Sequence, residues 1–475
     1  MDAMSTPDVL VVGGGTGGYS TALRAAALGL TVVLVERDKV GGTCLHRGCI
    51  PSKAMLHAAE LVDGIAEARE RWGVKATLDD VDWAALTATR DDIVARNHRG
   101  VEAHLAHAGV RVVAGTARLT TARSVRVEGV PGQGALDLTA RRGVVLATGS
   151  RPRTLPGLVP DGSRVVTSDD ALFAPGLPDS VLVLGGGAIG VEYASFHRSM
   201  GAQVTLVEAA DRILPLEDAD VSRHLTRALK RRGIDVRTGA RLLDAEVRKA
   251  GVRARVRTVR GETLAVEACR LLVAVGRTPV TEGLGLSAAG LATDDRGFVA
   301  PVDWTRLETA VPGVHVVGDL LPPPSPGLAH ASFAEGLLVA ETLAGVPSAP
   351  VDHAAVPRVT YSSPQTASVG LSEAEARARG HEVDVDTMPL TAVAKGMVHG
   401  QGGMVKVVAE KGGGQVWGVH MVGPHVSEMI AESQLIVGWD AHPSDVARHI
   451  HPHPTLSEAV GEVFLTLAGR ALHQQ

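Results

Sequence analysis

The chain has only three cysteines in 475 residues. So few cannot staple a fold of this size, which excludes a disulfide framework and leaves stability to hydrophobic cores. A hydrophobic content of 45% is normal for globular domains with sizeable cores. Charge of one sign is also lacking. Lys plus Arg number 47 against 52 Asp plus Glu, for a formal net charge of −5, and no long basic run occurs. Nucleic acid and anionic membrane are therefore not expected as partners. No apolar stretch approaches the roughly 18 residues of a membrane span. The segment from Met1 to Asp8 has no basic region and no apolar core, so no secretion leader is expected. The location expected from these absences is the cytoplasm, where a protein disulfide is usually catalytic. The length corresponds to roughly three domains of about 150 residues each.

What is present begins with glycine. Val9 to Val12 reads as a strand buried on both faces. Gly13-Gly14-Gly15-Thr16-Gly17-Gly18 follows, then a helical pattern through Leu28 and a second strand, Thr31 to Val35, ending in Glu36. Gly13, Gly15 and Gly18 occupy the three glycine positions of a dinucleotide fingerprint. The first allows the tight turn, the second lets phosphate approach the backbone, and the third packs helix on strand. The helix N-terminus then faces the pyrophosphate, and Glu36 falls at the ribose position. The pattern repeats at Val181 to Leu184, Gly185, Gly187 and Gly190, then Gln203 to Val207 and Glu208. One fingerprint alone is weak, since Gly-rich turns are common. Two complete units, each closed by an acid, are strong. A carboxylate at Glu208 accepts from a free ribose 2′-hydroxyl and repels a 2′-phosphate, which favours NAD over NADP, with Arg212 four residues on as the caution.

Cys44 and Cys49 follow the first fingerprint, beside Lys53. A regular helix would separate residues five apart by about 7.5 Å along its axis, whereas a disulfide wants its Cα atoms about 4.4–6.8 Å apart. If the two bridge, the backbone between them is irregular, and Gly48 permits that. Pro51 suits a first helical turn, so a helix is expected from near Ile50 with Cys49 at its positive end, where a thiolate is favoured. The competing reading, half a zinc site, lacks further ligands at short spacing, since only His46 is near. Cys269 reads as a core residue on an apolar strand, and Tyr19 as packing. Towards the C-terminus, Met404 to Val408 and Gln415 to Met421 read as alternating strands joined at Gly412-Gly413-Gly414, with helical patterns at Ser427 to Trp439 and Leu456 to Leu467. Thr455-x-x-Glu458 is by itself a capping-box sequence.

Together these segments resemble the pyridine nucleotide–disulfide oxidoreductases, and within them the dihydrolipoyl dehydrogenases. The likeness runs almost end to end. It takes in Ala147-Thr148-Gly149-Ser150, Ala274-Val275-Gly276-Arg277-Thr278-Pro279, Val316-Val317-Gly318-Asp319, Gly327-Leu328-Ala329-His330 and His451-Pro452-His453-Pro454-Thr455-Leu456-Ser457-Glu458, in the family's order. The resemblance implies an α/β fold. Two Rossmann-like dinucleotide-binding domains, for FAD and NAD, would be joined by a C-terminal α+β dimerisation domain. Flavin binding would fall to 1–152 and 280–350, nicotinamide binding to 153–279, and the interface to 351–475. It further implies that Cys44 exchanges with substrate, that Cys49 lies against the flavin, and that His453 and Glu458 form the acid–base pair. Lys53 would stand near the flavin ring and pair with Glu192, and Asp319 would bind the ribityl chain. Thr43, Gly115, Thr148, Gly149, Ser150, Leu328, Ala329, His330, Leu242 and Gly276 would complete the cofactor contacts, with no metal.

The activity so implied is flavin-dependent oxidation of protein-bound dihydrolipoyl groups by NAD, in a homodimer. The partner would be a lipoyl-carrying protein of a 2-oxoacid dehydrogenase or glycine-cleavage complex. The alternatives are a reductase of another disulfide, such as glutathione, mycothione or trypanothione, and a flavoprotein scaffold without turnover. Ile50-Pro51-Ser52-Lys53 and Glu208 favour the first activity, and the intact Cys and His–Glu residues argue against a scaffold. A mercuric reductase is disfavoured because Ala471 to Gln475 carries no cysteine pair. Two features depart from the family pattern. Pro322-Pro323-Pro324-Ser325-Pro326 is a longer, stiffer loop, and Arg47 between the cysteines reads either as a contact for an acidic carrier or as a solvated residue, the second being favoured.

Overall fold

The computed structural model describes residues 6–132 and 134–473. Met1 to Ser5, on which part of the leader reading rests, and the last two residues of the tail lie outside the described residues. The chain forms two compact units. The first combines Met1–Ala54, Ala84–Pro152 and Arg277–His353, and the second Met55–Trp83, Arg153–Gly276 and Ala354–Gln475.

The first unit is built on a five-stranded parallel sheet. Its centre is β1 (Val9–Val12), flanked by β2 (Val32–Glu36) and by the strand Gly143–Leu146, with Arg111–Ala114 and Val314–Val316 at the edges. Continuous runs of Val and Leu form these strands because both faces are covered: Leu10, Val11, Leu34, Val144 and Leu146 are fully shielded. The helix α1 (Thr16–Ala27) packs on β1 and on the helix Ala329–Ala344. Two helices follow β2. The first, α2 (Gly42–Arg47), carries Cys44, and α3 (Cys49–Trp72) begins at Cys49. Gly48 breaks the path between them, as the spacing requires. Tyr19 packs edge-on against Phe333, in keeping with a packing residue.

The second unit repeats the plan. Its parallel sheet runs Asp235–Arg237, Gln203–Val207, Ser180–Leu184, Arg270–Val273, Val165–Val166. The helix Ala188–Ser199 leaves the central strand as α1 leaves β1. Cys269 is not on a strand. It is half-buried in the turn between Thr263–Ala268 and Arg270–Val273, and its amide donates to Ser180 Oγ at 2.9 Å.

The C-terminal part of this unit is a five-stranded antiparallel sheet in the order Arg358–Thr360, Gln365–Gly370, Val416–Gly423, Met404–Glu410, Val383–Pro389. The helices Val426–Gly438 and Glu458–Leu467 contribute Ile430, Val460 and Phe464 to its core. The strand from Met404 differs from the expected alternation: it is buried on both faces as far as Ala409. Lys406, which reads as a solvent-facing position, is 2% exposed. Its ammonium meets Asp218 at 3.0 Å, Asp220 at 2.7 Å and Glu373 at 2.9 Å. A buried cation is tolerable only with such partners.

Both glycine turns are set by the same steric rule. Gly13 and Gly185 have φ of +104° and +108°, which side chains rarely adopt. A Cβ on Gly18 would run into the Gly13 carbonyl oxygen, and one on Gly190 into that of Gly185. The middle glycine of each turn is different: a Cβ on Gly187 meets nothing within 4 Å, and one on Gly15 only Gly42 Cα at 4.0 Å. Gly190→Ala is therefore expected to cost about 3 kcal/mol through backbone displacement, and Gly187→Ala to leave the apoprotein's thermal unfolding almost unchanged. Equal unfolding temperatures for the two variants would contradict this assignment of roles.

Candidate functional site

Each glycine turn ends at a helix N-terminus and is held by the acid that closes its β–α–β unit. Glu36 Oε2 accepts from the Gly14 amide at 2.7 Å, and Oε1 from the Asp38 amide at 2.8 Å. Glu208 does the same with Gly186 at 2.6 Å and Ala210 at 2.6 Å. Each carboxylate oxygen keeps a second lone pair for a ribose hydroxyl. The open space above Gly15 and Gly187 is where a pyrophosphate needs to approach the helix end. The residues present thus fit two dinucleotides. Arg212, the candidate for a 2′-phosphate, donates to the carbonyl of Pro215 in its own turn at 3.0 Å.

Among the other proposed cofactor positions, Gly115 has its amide on the carbonyl of Glu36 at 2.9 Å, which ties its turn to the end of β2. Thr148 Oγ1 donates to Val280 O at 2.6 Å, and Gly149 O accepts from Val280 N at 2.9 Å. Ser150 donates to Asp319, while Arg277 Nε reaches Ser150 Oγ at 2.7 Å and Nη2 reaches Ser150 O at 2.7 Å. Burial raises the Asp319 carboxyl above its ordinary value, against the opposing pull of Ser150 and Arg277. Arg277 was not singled out by the sequence, although it directly follows Gly276. Leu328 caps the helix that begins at Ala329, and His330 is exposed in its first turn. Leu242 packs against the core of the second unit. Gly276 O accepts from the Arg153 amide at 2.9 Å. Glu192 is buried, and its Oε1 accepts from the Tyr361 amide at 3.0 Å.

Cys44 and Cys49 lie on consecutive helices and are not joined by a disulfide. The Cys44 thiol is pushed far above its usual range, first by its hydrogen bond with Cys49, then by burial and by the charge on Cys49, while Lys53 pulls the other way. A negative sulfur at one position thus suppresses ionisation at the other. Thr43 is exposed one residue before Cys44. Arg47 forms an exposed ion pair with Asp38, consistent with a solvated residue. Among the described residues, no group of three or more His, Cys, Asp or Glu is placed to hold a metal.

Near the C-terminus, His453 Nδ1 is 2.6 Å from Glu458 Oε1. Glu458 Oε2 accepts from the Thr455 amide at 2.7 Å. The one carboxylate therefore serves the dyad and half of the expected capping box. The other half is missing: the helix begins at Glu458, its N-cap is Ser457, and the Thr455 hydroxyl donates to Pro452 O at 2.8 Å. Burial pushes the Glu458 carboxyl up, but the Thr455 amide, the His453 bond and the charges of His453 and His473 outweigh it and hold it below the ordinary value. The His453 ring is 72% exposed. His451 is engaged elsewhere, with Nε2 at 2.7 Å from Glu432 and its ring against Gly461.

Residues 7–336 match the family described as pyridine nucleotide-disulphide oxidoreductase, and residues 356–464 match its dimerisation domain. Dihydrolipoyl dehydrogenase of Bacillus subtilis is 40% identical, with 98% of this chain and 99% of that protein covered. Dihydrolipoyl dehydrogenase 2 of Haloarcula marismortui is 41% identical, with 99% of each covered. Among solved structures, LpdA from Mycobacterium tuberculosis superposes with a TM-score of 0.87 at 26% identity, over 97% of this chain and 99% of that one. The HOCl-induced flavoprotein disulfide reductase RclA from Escherichia coli does so with 0.83 at 26%, over 96% and 99%. With both family regions matched and likeness running from end to end, the chain belongs to the pyridine nucleotide–disulphide oxidoreductase family.

Proposed function

We propose that this chain is an NAD-dependent dihydrolipoyl dehydrogenase that oxidises protein-bound dihydrolipoyl groups to the disulfide. The observation that carries it is the hydrogen-bonded Cys44–Cys49 dithiol in a chain alike end to end to proteins bearing that name. In the working cycle a substrate thiolate attacks Cys44 of the oxidised pair, and Cys49 leaves as thiolate. His453 takes the proton of the second substrate thiol, which displaces Cys44 and closes the substrate disulfide. Glu458 orients the ring and stabilises the imidazolium. FAD, when bound, supplies the electron relay from the dithiol to NAD. Two electrons and one proton end on NADH, and the second proton leaves to solvent. Lys53 favours negative charge beside the cysteines.

The reading includes a homodimer, supported by the matched dimerisation domain. It assigns residues 1–152 and 280–350 to flavin, 153–279 to nicotinamide and 351–475 to the interface, supported by the repeated parallel sheets. It includes a lipoyl-carrying protein of a 2-oxoacid dehydrogenase or glycine-cleavage complex as partner. It also includes a cytoplasmic location, supported by the use of cysteine for catalysis rather than stapling. Among the described residues, no helix is long and apolar enough to cross a membrane.

The cysteine roles are read spectroscopically. Reduction of the wild type is expected to give a long-wavelength absorption from a thiolate against the flavin. Cys44→Ser should show that band without substrate, and Cys49→Ser should lack it; the opposite pattern would reverse the two roles. Cofactor choice is read from steady-state kinetics. NADH should serve at least ~10-fold better than NADPH, because one mispaired charge is worth upwards of about 1.4 kcal/mol. Glu208→Ala should narrow the gap, and equal use of both cofactors by the wild type would refute the assignment.

Sharing of the site between subunits is tested by complementation. A Cys44→Ser, Cys49→Ser subunit is mixed with a His453→Ala subunit under conditions that exchange subunits. If His453 serves the partner subunit's cysteines, a random mixture recovers about one quarter of wild-type activity per subunit, from the pairing statistics of a symmetric dimer. No recovery, with exchange verified by labelled chains, would put His453 and the cysteines it serves in one chain.

A further inference from the structure

The Pro-rich loop at 322–326 and the turn that carries Asp319 meet at one buried side chain. Glu335 is fully shielded from solvent, yet it is a carboxylate on an otherwise apolar stretch of the helix Ala329–Ala344. Three donors converge on it. The Gly318 amide reaches Oε2 at 2.7 Å, Ser325 Oγ reaches Oε1 at 2.7 Å, and His353 Nε2 reaches the same oxygen at 3.0 Å. Ser325 is 7% exposed, and the His353 side chain 5%. The edge of Trp304 closes over the His353 ring, with centroids 5.6 Å apart. A buried carboxylate is expensive unless every lone pair finds a donor, so a chain that keeps one here gains something other than packing.

The gain is positional. Gly318 is the residue immediately before Asp319, so the amide held by Glu335 belongs to the turn that presents the Asp319 carboxylate. From the other side, Ser150 and Arg277 hold the carboxylate itself. The backbone beside Glu335 lies close on α1: a Cβ on its neighbour Gly336 would meet Gly17 O at 2.7 Å and the Ser20 hydroxyl. The charge of Glu335 also reaches Asp319, which it raises in addition to the larger effect of burial. Ser325 extends the arrangement into the loop that departs from the family pattern. Its hydroxyl fastens the proline-rich segment to the same carboxylate, two residues before Gly327.

We infer that Glu335 is a positioning residue for FAD. With Ser325 and His353 as its partners, it fixes the Gly318–Asp319 turn and the 322–326 loop in the geometry that takes the ribityl and flavin portions of the cofactor. This rests on the proposed reading that FAD lies against Asp319. Its own content is that the loop insertion and the buried Glu335–His353 pair are parts of the binding site.

The test is equilibrium titration of FAD into apoprotein, followed by flavin fluorescence, for wild type, Glu335→Gln, Ser325→Ala, Asp319→Asn and the Glu335→Gln, Asp319→Asn double variant. Thermal unfolding of each apoprotein and NADH binding are measured beside it. Glu335→Gln keeps an acceptor for Gly318 but loses the charge and one acceptor, and is expected to raise the FAD dissociation constant about 10-fold, the scale of a charged hydrogen bond. Ser325→Ala should raise it severalfold. Apoprotein unfolding should fall little, and NADH binding should stay within about twofold. Because Glu335 acts through Asp319, the double variant should bind hardly more weakly than Asp319→Asn alone. Multiplied effects in the double variant, or wild-type FAD affinity in Glu335→Gln and Ser325→Ala, would overturn the inference. Should Glu335→Gln fail to fold, Ser325→Ala paired with Asp319→Asn makes the same comparison, with the same deciding outcomes. If wild-type apoprotein takes up no FAD at all, it is the underlying reading of the site that fails.

Discussion

The contact on which most of this molecule depends is the approach of a helix to the turn that precedes it, at Gly18 over Gly13 and again at Gly190 over Gly185. No Cβ can stand between these atoms. The approach sets each helix directly after its strand, points its first amides into the space above the middle glycine, and leaves that space empty of side chains. The acids Glu36 and Glu208 then lock the turns by accepting from the amides of Gly14 and Gly186. A carboxylate at the expected ribose position is thus held by backbone amides before any ligand arrives. Binding need not supply the ordering cost, which is the physical content of preorganisation.

The redox pair is governed by a second local constraint. Two cysteines five residues apart would point apart on one helix. They come together because Gly48 ends α2 and α3 restarts at once with Cys49. The restart also puts Cys49 at the positive end of a helix of 24 residues. The hydrogen bond with Cys49, then burial and the charge of Cys49, push the Cys44 thiol far above its usual range.

At the other end of the chain, economy of donors explains the His453–Glu458 arrangement. A cap and a catalytic orienter compete for the same residue in the sequence, and in the structure the two oxygens of Glu458 divide the work. One accepts from the Thr455 amide and the other meets the His453 ring. The bond to backbone holds the carboxylate in place beside the ring, as the proposed role of orienter requires. The neighbouring His451, equally suggestive in sequence, is spent on Glu432 and lies against the helix at Gly461.

By itself the sequence determined the two glycine turns, their closing acids, the break between the cysteines, and the order of strands and helices around them. These depend on interactions within a few dozen residues, where periodicity and glycine leave a direct trace. The tertiary structure alone decided which polar groups are buried and what they hold. Lys406 sits in an alternating pattern that reads as half-exposed, yet its charge is met by Asp218, 188 residues away. Cys269 looked like a strand residue and stands in a turn, because only pairing fixes where a strand stops. Glu335 carries no local signal either, since its meaning lies in Gly318, Ser325 and His353 converging on one carboxylate. Burial is a property of the assembled chain: a side chain's surroundings come from segments far apart in sequence, and no window along the sequence contains them.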